Sequence, residues 1–154
     1  MPKAAALFLQ AMVLLVGLAA LVFLAWEPWG EGVNAQARGF ADIYLDDPFL
    51  VFGYAASLPF FVGLAQLFRL LGLAGRAELL APQSFRPLRI LRRCALLLLA
   101  AVAAGELLLL LQPSDDRAGG VAMGVLISLG ALGMAAAATL GEHLLARALA
   151  GAPR

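Results

Sequence analysis

A chain of 154 residues that is 63% hydrophobic and only 14% charged, with a mean hydropathy of +0.92, carries more apolar surface than one water-soluble core of this size can hide. The net charge of +1 offers no argument for nucleic acid, and none is expected as a partner. The single cysteine, Cys94, excludes an intramolecular disulfide framework, a CxxC redox pair and a cysteine zinc cluster.

Four apolar runs follow in chain order, each near the ~20 residues that cross the hydrocarbon of a bilayer. They cover about residues 4–25, 49–71, 88–111 and 121–140. The first ends at Trp26, Pro28 and Trp29, residues suited to an interfacial belt. A signal peptide is the rival reading for this run. Its apolar stretch exceeds the ~7–15 residues of a signal core, and the EPWG that follows is a poor cleavage site, so it reads as a retained helix. Backbone groups in lipid must be satisfied internally, which makes a helical bundle the expected architecture. The fold class is therefore all-α, an integral membrane bundle of four transmembrane helices forming one domain over 1–154.

Charge sets the expected orientation. The outer segment 27–47 holds Glu27, Glu31, Asp42, Asp46 and Asp47 against Arg38. Around the link 72–87 stand Arg69, Arg76, Arg86, Arg89, Arg92 and Arg93 against Glu78. The positive-inside rule places the arginine-rich connection in the cytoplasm, and both termini with it (N-in/C-in), in a multi-pass membrane protein. Lys3, Arg147 and Arg154 agree with that assignment. In the outer segment, Val33, Ala37, Phe40, Ala41 and Tyr44 recur at helical spacing. A short surface helix competes there with a plain solvated loop, and the loop is the expectation. Its acids lack the spacing of a calcium loop.

The link ends in SFRPLRILRRC, where Ser84 is expected to cap a helix with Pro87 in its first turn. Arg86, Arg89 and Arg93 recur at three- and four-residue spacing with Arg92 beside them, forming a cationic collar at headgroup level. A topology anchor with snorkelling side chains explains the collar, and anionic lipids at the cytoplasmic face suit it. A docking face for an acidic protein is the functional alternative.

The block PFFVGLAQLFRLLGLAGRAELLAPQSFRPLRILRRCALLLL, within roughly residues 48–100, resembles the centre of an uncharacterised bacterial four-span family, domain of unknown function 2975. The resemblance rests on Pro59 in span two, a leucine-rich helix end, a short polar hinge, and the span-three opening Leu88, Arg89, Ile90 and Leu91. Ser84-Phe85 stands in the reverse of the family's usual order, and HLLARALAGAPR lacks the acidic, Thr-containing tail common there. The resemblance implies a small inner-membrane protein with no assigned activity. Some members of that family are encoded beside helix-turn-helix regulators, which implies a regulatory partner.

Within AVAAGELLLLLQ lies one carboxylate, Glu106. It precedes Gln112 by six residues, so it sits roughly 9 Å inside the outer boundary. A mid-helix charge costs about 2.5–3.5 kcal/mol on insertion scales, less toward an interface. Tyr54 on span two and Ser128 on span four fall at comparable depth, giving a candidate intramembrane polar cluster of Glu106, Tyr54 and Ser128. Arg38 or Arg117 reaching in from outside is the other way to satisfy the carboxyl. Two readings stay open: interhelical glue, and a proton- or cation-binding site in a small transporter.

Span four places Gly120, Gly124 and Ser128 four apart, continued by Ala131, Ala135 and Ala138. Small residues at this spacing let helices approach closely, either inside the bundle, against AAVAAG of span three, or between copies in a homo-oligomer. At the cytoplasmic edge stand Gln10, Gln66, Thr139, Glu142 and His143. One histidine beside a glutamate does not make a metal site, and no metal or other cofactor is expected. Nucleophile elbows, HExxH and phosphate-cradling glycine loops are absent from the sequence. The expected function is non-enzymatic: an accessory or regulatory membrane component acting through protein or lipid contacts. The alternative is a small proton- or ion-coupled transporter using Glu106.

Overall fold

The computed structural model describes residues 2–30, 39, 44–45, 48–111 and 117–151. Most of the acidic segment between the first two helices, and with it the choice between surface helix and loop, lies outside the described residues. So does the turn at 112–116.

Four long helices make up almost all of the described chain: α1 (Lys3–Gly30), α2 (Pro48–Gly75), α3 (Phe85–Leu111) and α4 (Arg117–Ala150). All four are long and apolar enough to span a membrane. The protein is thus a multi-pass membrane protein of the all-α class. The fourth helix runs ten residues past the expected Leu140 boundary. Its 34 residues reach about 50 Å, well beyond a hydrocarbon slab of about 30 Å, so one end carrying Glu142, His143 and Arg147 projects past the apolar zone.

Local chemistry explains the helix ends. Pro48 starts α2, where a missing N–H costs nothing. Pro59 inside α2 removes the usual donor to the Ala55 carbonyl, and two residues earlier the Ser57 hydroxyl donates to the Tyr54 carbonyl at 2.7 Å. At the far end the Glu78 N–H bonds the Leu73 carbonyl (2.9 Å) and the Ala77 N–H the Ala74 carbonyl (3.2 Å), a Schellman closure. Its left-handed position, normally glycine, is held by Ala77 at φ 59°. A 3-10 turn, Pro82–Ser84, then runs directly into α3.

That turn overturns the capping expected of Ser84. Phe85 is already in right-handed helical geometry, and the Ser84 N–H bonds the Ala81 carbonyl at 3.0 Å. A capping side chain needs an extended backbone at its own residue. Ser84 is instead fully buried, and its hydroxyl makes no hydrogen bond among the described residues.

The helices pack as sequential neighbours: α1 on α2, α2 on α3 and, most extensively, α3 on α4. Glycines set the close approaches. A Cβ on Gly75 would come within 2.8 Å of Ala6 across the α1–α2 contact, and one on Gly105 within 3.3 Å of the Phe52 ring across α2–α3. The core lies toward the arginine end of the molecule, where Leu70, Leu91 and Ala138 meet, flanked by Leu88 and Met134. Along α4 the buried residues Gly124, Ala131, Ala138 and Leu145 fall at every seventh position, the period of a left-handed helix seam. Large apolar side chains elsewhere, such as Leu14, Phe23, Leu97 and Leu126, are exposed, as expected where the surroundings are lipid.

Candidate functional site

The polar residues inside the spans are spread over all four helices, and α3, which carries Glu106, meets a different neighbour on each of two sides. One side faces α4. There the Glu106 side chain lies over Gly124, so that a Cβ on Gly124 would coincide with a Glu106 carboxylate oxygen and stand 2.6 Å from its carboxyl carbon. One turn further along, Leu109 fills the corresponding space over Gly120. The two glycines singled out in the sequence are therefore the seats for two α3 side chains, and α4 can approach because it offers no Cβ there. Ser128 follows one turn later on α4 and is half-buried.

The three residues of the candidate intramembrane cluster do not converge. The Tyr54 hydroxyl donates to the Leu24 carbonyl of α1 at 3.1 Å, turning away from α3 toward the opposite neighbour. Tyr44 joins it, donating to the Ala25 carbonyl at 3.4 Å with its ring 6.3 Å from that of Tyr54. Among the described residues Glu106 has no hydrogen bond to Tyr54 or Ser128, nor an ion pair. Arg38 and the side chain of Arg117 lie outside the described residues.

At the arginine end the α3–α4 seam closes with an ion pair, Arg92 Nη1 to Glu142 Oε2 at 3.4 Å, with the two side chains 35% and 17% exposed. Sequence reasoning put Arg92 in the collar and Glu142 at the helix edge without joining them. The spacing carried only the offset of Arg92 from the other three, not the helix it faces. At about 100° per residue, Arg86, Arg89 and Arg93 share a stripe from which Arg92 is rotated toward α4. Those three are exposed, and none makes an ion pair among the described residues. Glu78 is held by Gln83, whose Nε2 donates to Glu78 Oε2 at 3.0 Å.

Of the remaining polar residues in the spans, one joins two helices. Gln10 Nε2 donates to the Phe68 carbonyl at 3.0 Å, tying α1 to α2, an acceptor that periodicity does not reveal. Thr139 bonds back to the Ala135 carbonyl at 2.8 Å. Gln66 is 8% exposed, and its Oε1 has no partner among the described residues.

A cleft of about 340 Å³ opens between α2, α3 and α4 at mid-height, lined by Pro59, Gly63, Leu67, Leu98, Ile127 and Met134, with the Cys94 thiol on its floor. Its walls are almost wholly apolar, and Glu106 is not among them. No group of three metal-ligating side chains exists among the described residues, and His143 is exposed.

No curated protein and no solved structure matches the chain. Residues 33–151, which include the last three helices, match the family described as protein of unknown function DUF2975, and the chain belongs to that family.

Proposed function

We propose that this protein is a non-enzymatic accessory or regulatory component of the inner membrane, oriented with the link 72–87 and both termini in the cytoplasm, that acts through protein or lipid contacts. One observation carries the reading. Gln10 and Tyr54 tie α1 to α2 and Arg92 ties α3 to α4, whereas Arg86, Arg89 and Arg93 are exposed on the outside of α3 and make no ion pair among the described residues. Exposed cations at headgroup level are placed to meet an anionic neighbour. The acid-against-arginine asymmetry of the two connections supports the orientation.

The topology is tested with Cys94→Ser carrying a single cysteine in the link 72–87. An impermeant maleimide labels it only after the membrane is opened, and labelling of intact cells overturns the orientation.

A second reading, a small proton- or cation-coupled transporter, is favoured by one feature: Glu106 is a carboxyl group in the apolar zone without a partner among the described residues. Against it stand the apolar walls of the cleft and the seating of the carboxyl on Gly124. Reconstituted vesicles under a pH or cation gradient decide between the two. The contact reading expects no flux attributable to the protein, and a flux abolished by Glu106→Gln establishes transport instead.

A further inference from the structure

The exposed arginines of α3 are placed for one kind of neighbour. Arg86, Arg89 and Arg93 occupy a single stripe, and the same side of the helix continues through Leu96, Leu97, Ala100 and Leu107, all exposed. Three cations thus lead straight onto a bare apolar track on one helix. None of the three makes an ion pair among the described residues: Glu142 is paired with Arg92, and Glu78 accepts from Gln83.

We propose that this stripe is a binding site for an anionic phospholipid, its phosphate held by Arg86, Arg89 and Arg93 and its acyl chain lying along Leu96, Leu97, Ala100 and Leu107. The inference rests on the contact reading above and names its partner. Depth decides for a lipid over an acidic protein. Arg93 lies seven residues, about 10 Å, further along the helix axis than Arg86, and the next exposed side chains are leucines. An acidic protein docking from the aqueous side meets Arg86 first and has the polar–apolar boundary between itself and Arg93. A lipid phosphate belongs at that boundary. Guanidinium groups bond phosphate oxygens through paired N–H donors, and their stems lie along the apolar track while the heads stay at headgroup level.

The structure also divides the four-arginine collar by role. Arg92 is a fastener of α3 to α4, and only the other three belong to the lipid site.

The test is lipid binding to the purified full-length protein, read by native mass spectrometry during titration with phosphatidylglycerol against phosphatidylcholine. Each arginine near an anionic headgroup contributes about a fivefold preference. The wild type is expected to favour phosphatidylglycerol by tenfold or more, the triple variant Arg86→Gln/Arg89→Gln/Arg93→Gln to lose that preference, and Arg89→Gln alone to lose about fivefold. Arg92→Gln is expected to keep it. Arg86→Lys/Arg89→Lys/Arg93→Lys, which preserves charge, retains a reduced preference. Equal binding of the two lipids by the wild type overturns the proposal, as does a triple variant with undiminished preference. If that triple variant keeps its lipid preference but loses a co-purifying protein, the lipid site is refuted and the contact reading stands.

Discussion

The two ends of the molecule are built by different means. At the arginine end, apolar and small side chains interlock: Leu70, Leu91, Cys94, Ala135, Ala138 and Leu145 are buried, and the Arg92–Glu142 pair closes the seam. At the end marked by Trp26, burial is sparse. Helices there meet through individual placements, Tyr54 on the Leu24 carbonyl, Glu106 and Leu109 on two glycines, and Phe52 against Gly105. In lipid, burial of apolar surface gives no driving force between helices, so association rests on close van der Waals fit and hydrogen bonds. One end uses mainly the first means. The other depends on a few specific contacts, each of which a single substitution can remove.

The sharpest way to break this contrast is at Gly124. Valine there drives a branched side chain into the position of the Glu106 carboxylate and is expected to cost about 3 kcal/mol, read by unfolding in detergent micelles. In a Glu106→Ala background the same substitution is expected to cost less than half as much, a coupling that a double-mutant cycle measures. Additive costs would show that the two side chains do not share that space.

At the other end, Ala138→Leu is expected to cost about 2 kcal/mol by overpacking the Leu70–Leu91 contact, while Leu97→Ala on the exposed side of α3 changes stability by less than about 0.5 kcal/mol. Equal losses at the two positions would mean that a neighbour covers the exposed face in the folded protein.

Arg92→Gln is expected to lower stability by about 1 kcal/mol, a modest figure because the guanidinium is one-third exposed and its attraction partly screened. The loss should shrink further in high salt, whereas that of Gly124→Val should not. Tyr54→Phe removes the bond to Leu24 and is expected to cost about 0.6 kcal/mol, the average for such bonds in membranes. The smallest effect has the opposite sign. Ala77→Gly relieves the left-handed strain in the α2 closure and is expected to stabilise by about 0.5 kcal/mol, since glycine's greater freedom in the unfolded chain offsets part of the gain.

Much of this architecture was legible in the chain itself. Requirements of lipid are local and one-dimensional: enough consecutive apolar residues to span the slab, and cations gathered in one connection. Four runs meeting that length stand out by counting, and the structure places a helix on each. Gly120 and Gly124 stand four apart in the sequence, and in the structure Leu109 and Glu106 occupy the space beside them, since a missing side chain is a local property whatever it ends up facing. The fourth helix was underestimated for a related reason: its last turns, past Leu140, leave the apolar zone, and hydropathy stops reporting where helix geometry continues.

Partners were decided only by the tertiary arrangement. Tyr54, Glu106 and Ser128 share a depth, which sequence counting measures well. Whether side chains meet also depends on how each helix is rotated about its axis and which helix stands beside it. Sequential packing sends Tyr54 to α1 and Glu106 to α4, on opposite sides of the α2–α3 contact. The same rotation takes Arg92 out of the collar and joins it to Glu142, leaving three arginines on the outer stripe. Depth follows from position along one chain. Azimuth and neighbour arise only when four helices settle against each other, because they depend on the shapes of two surfaces at once.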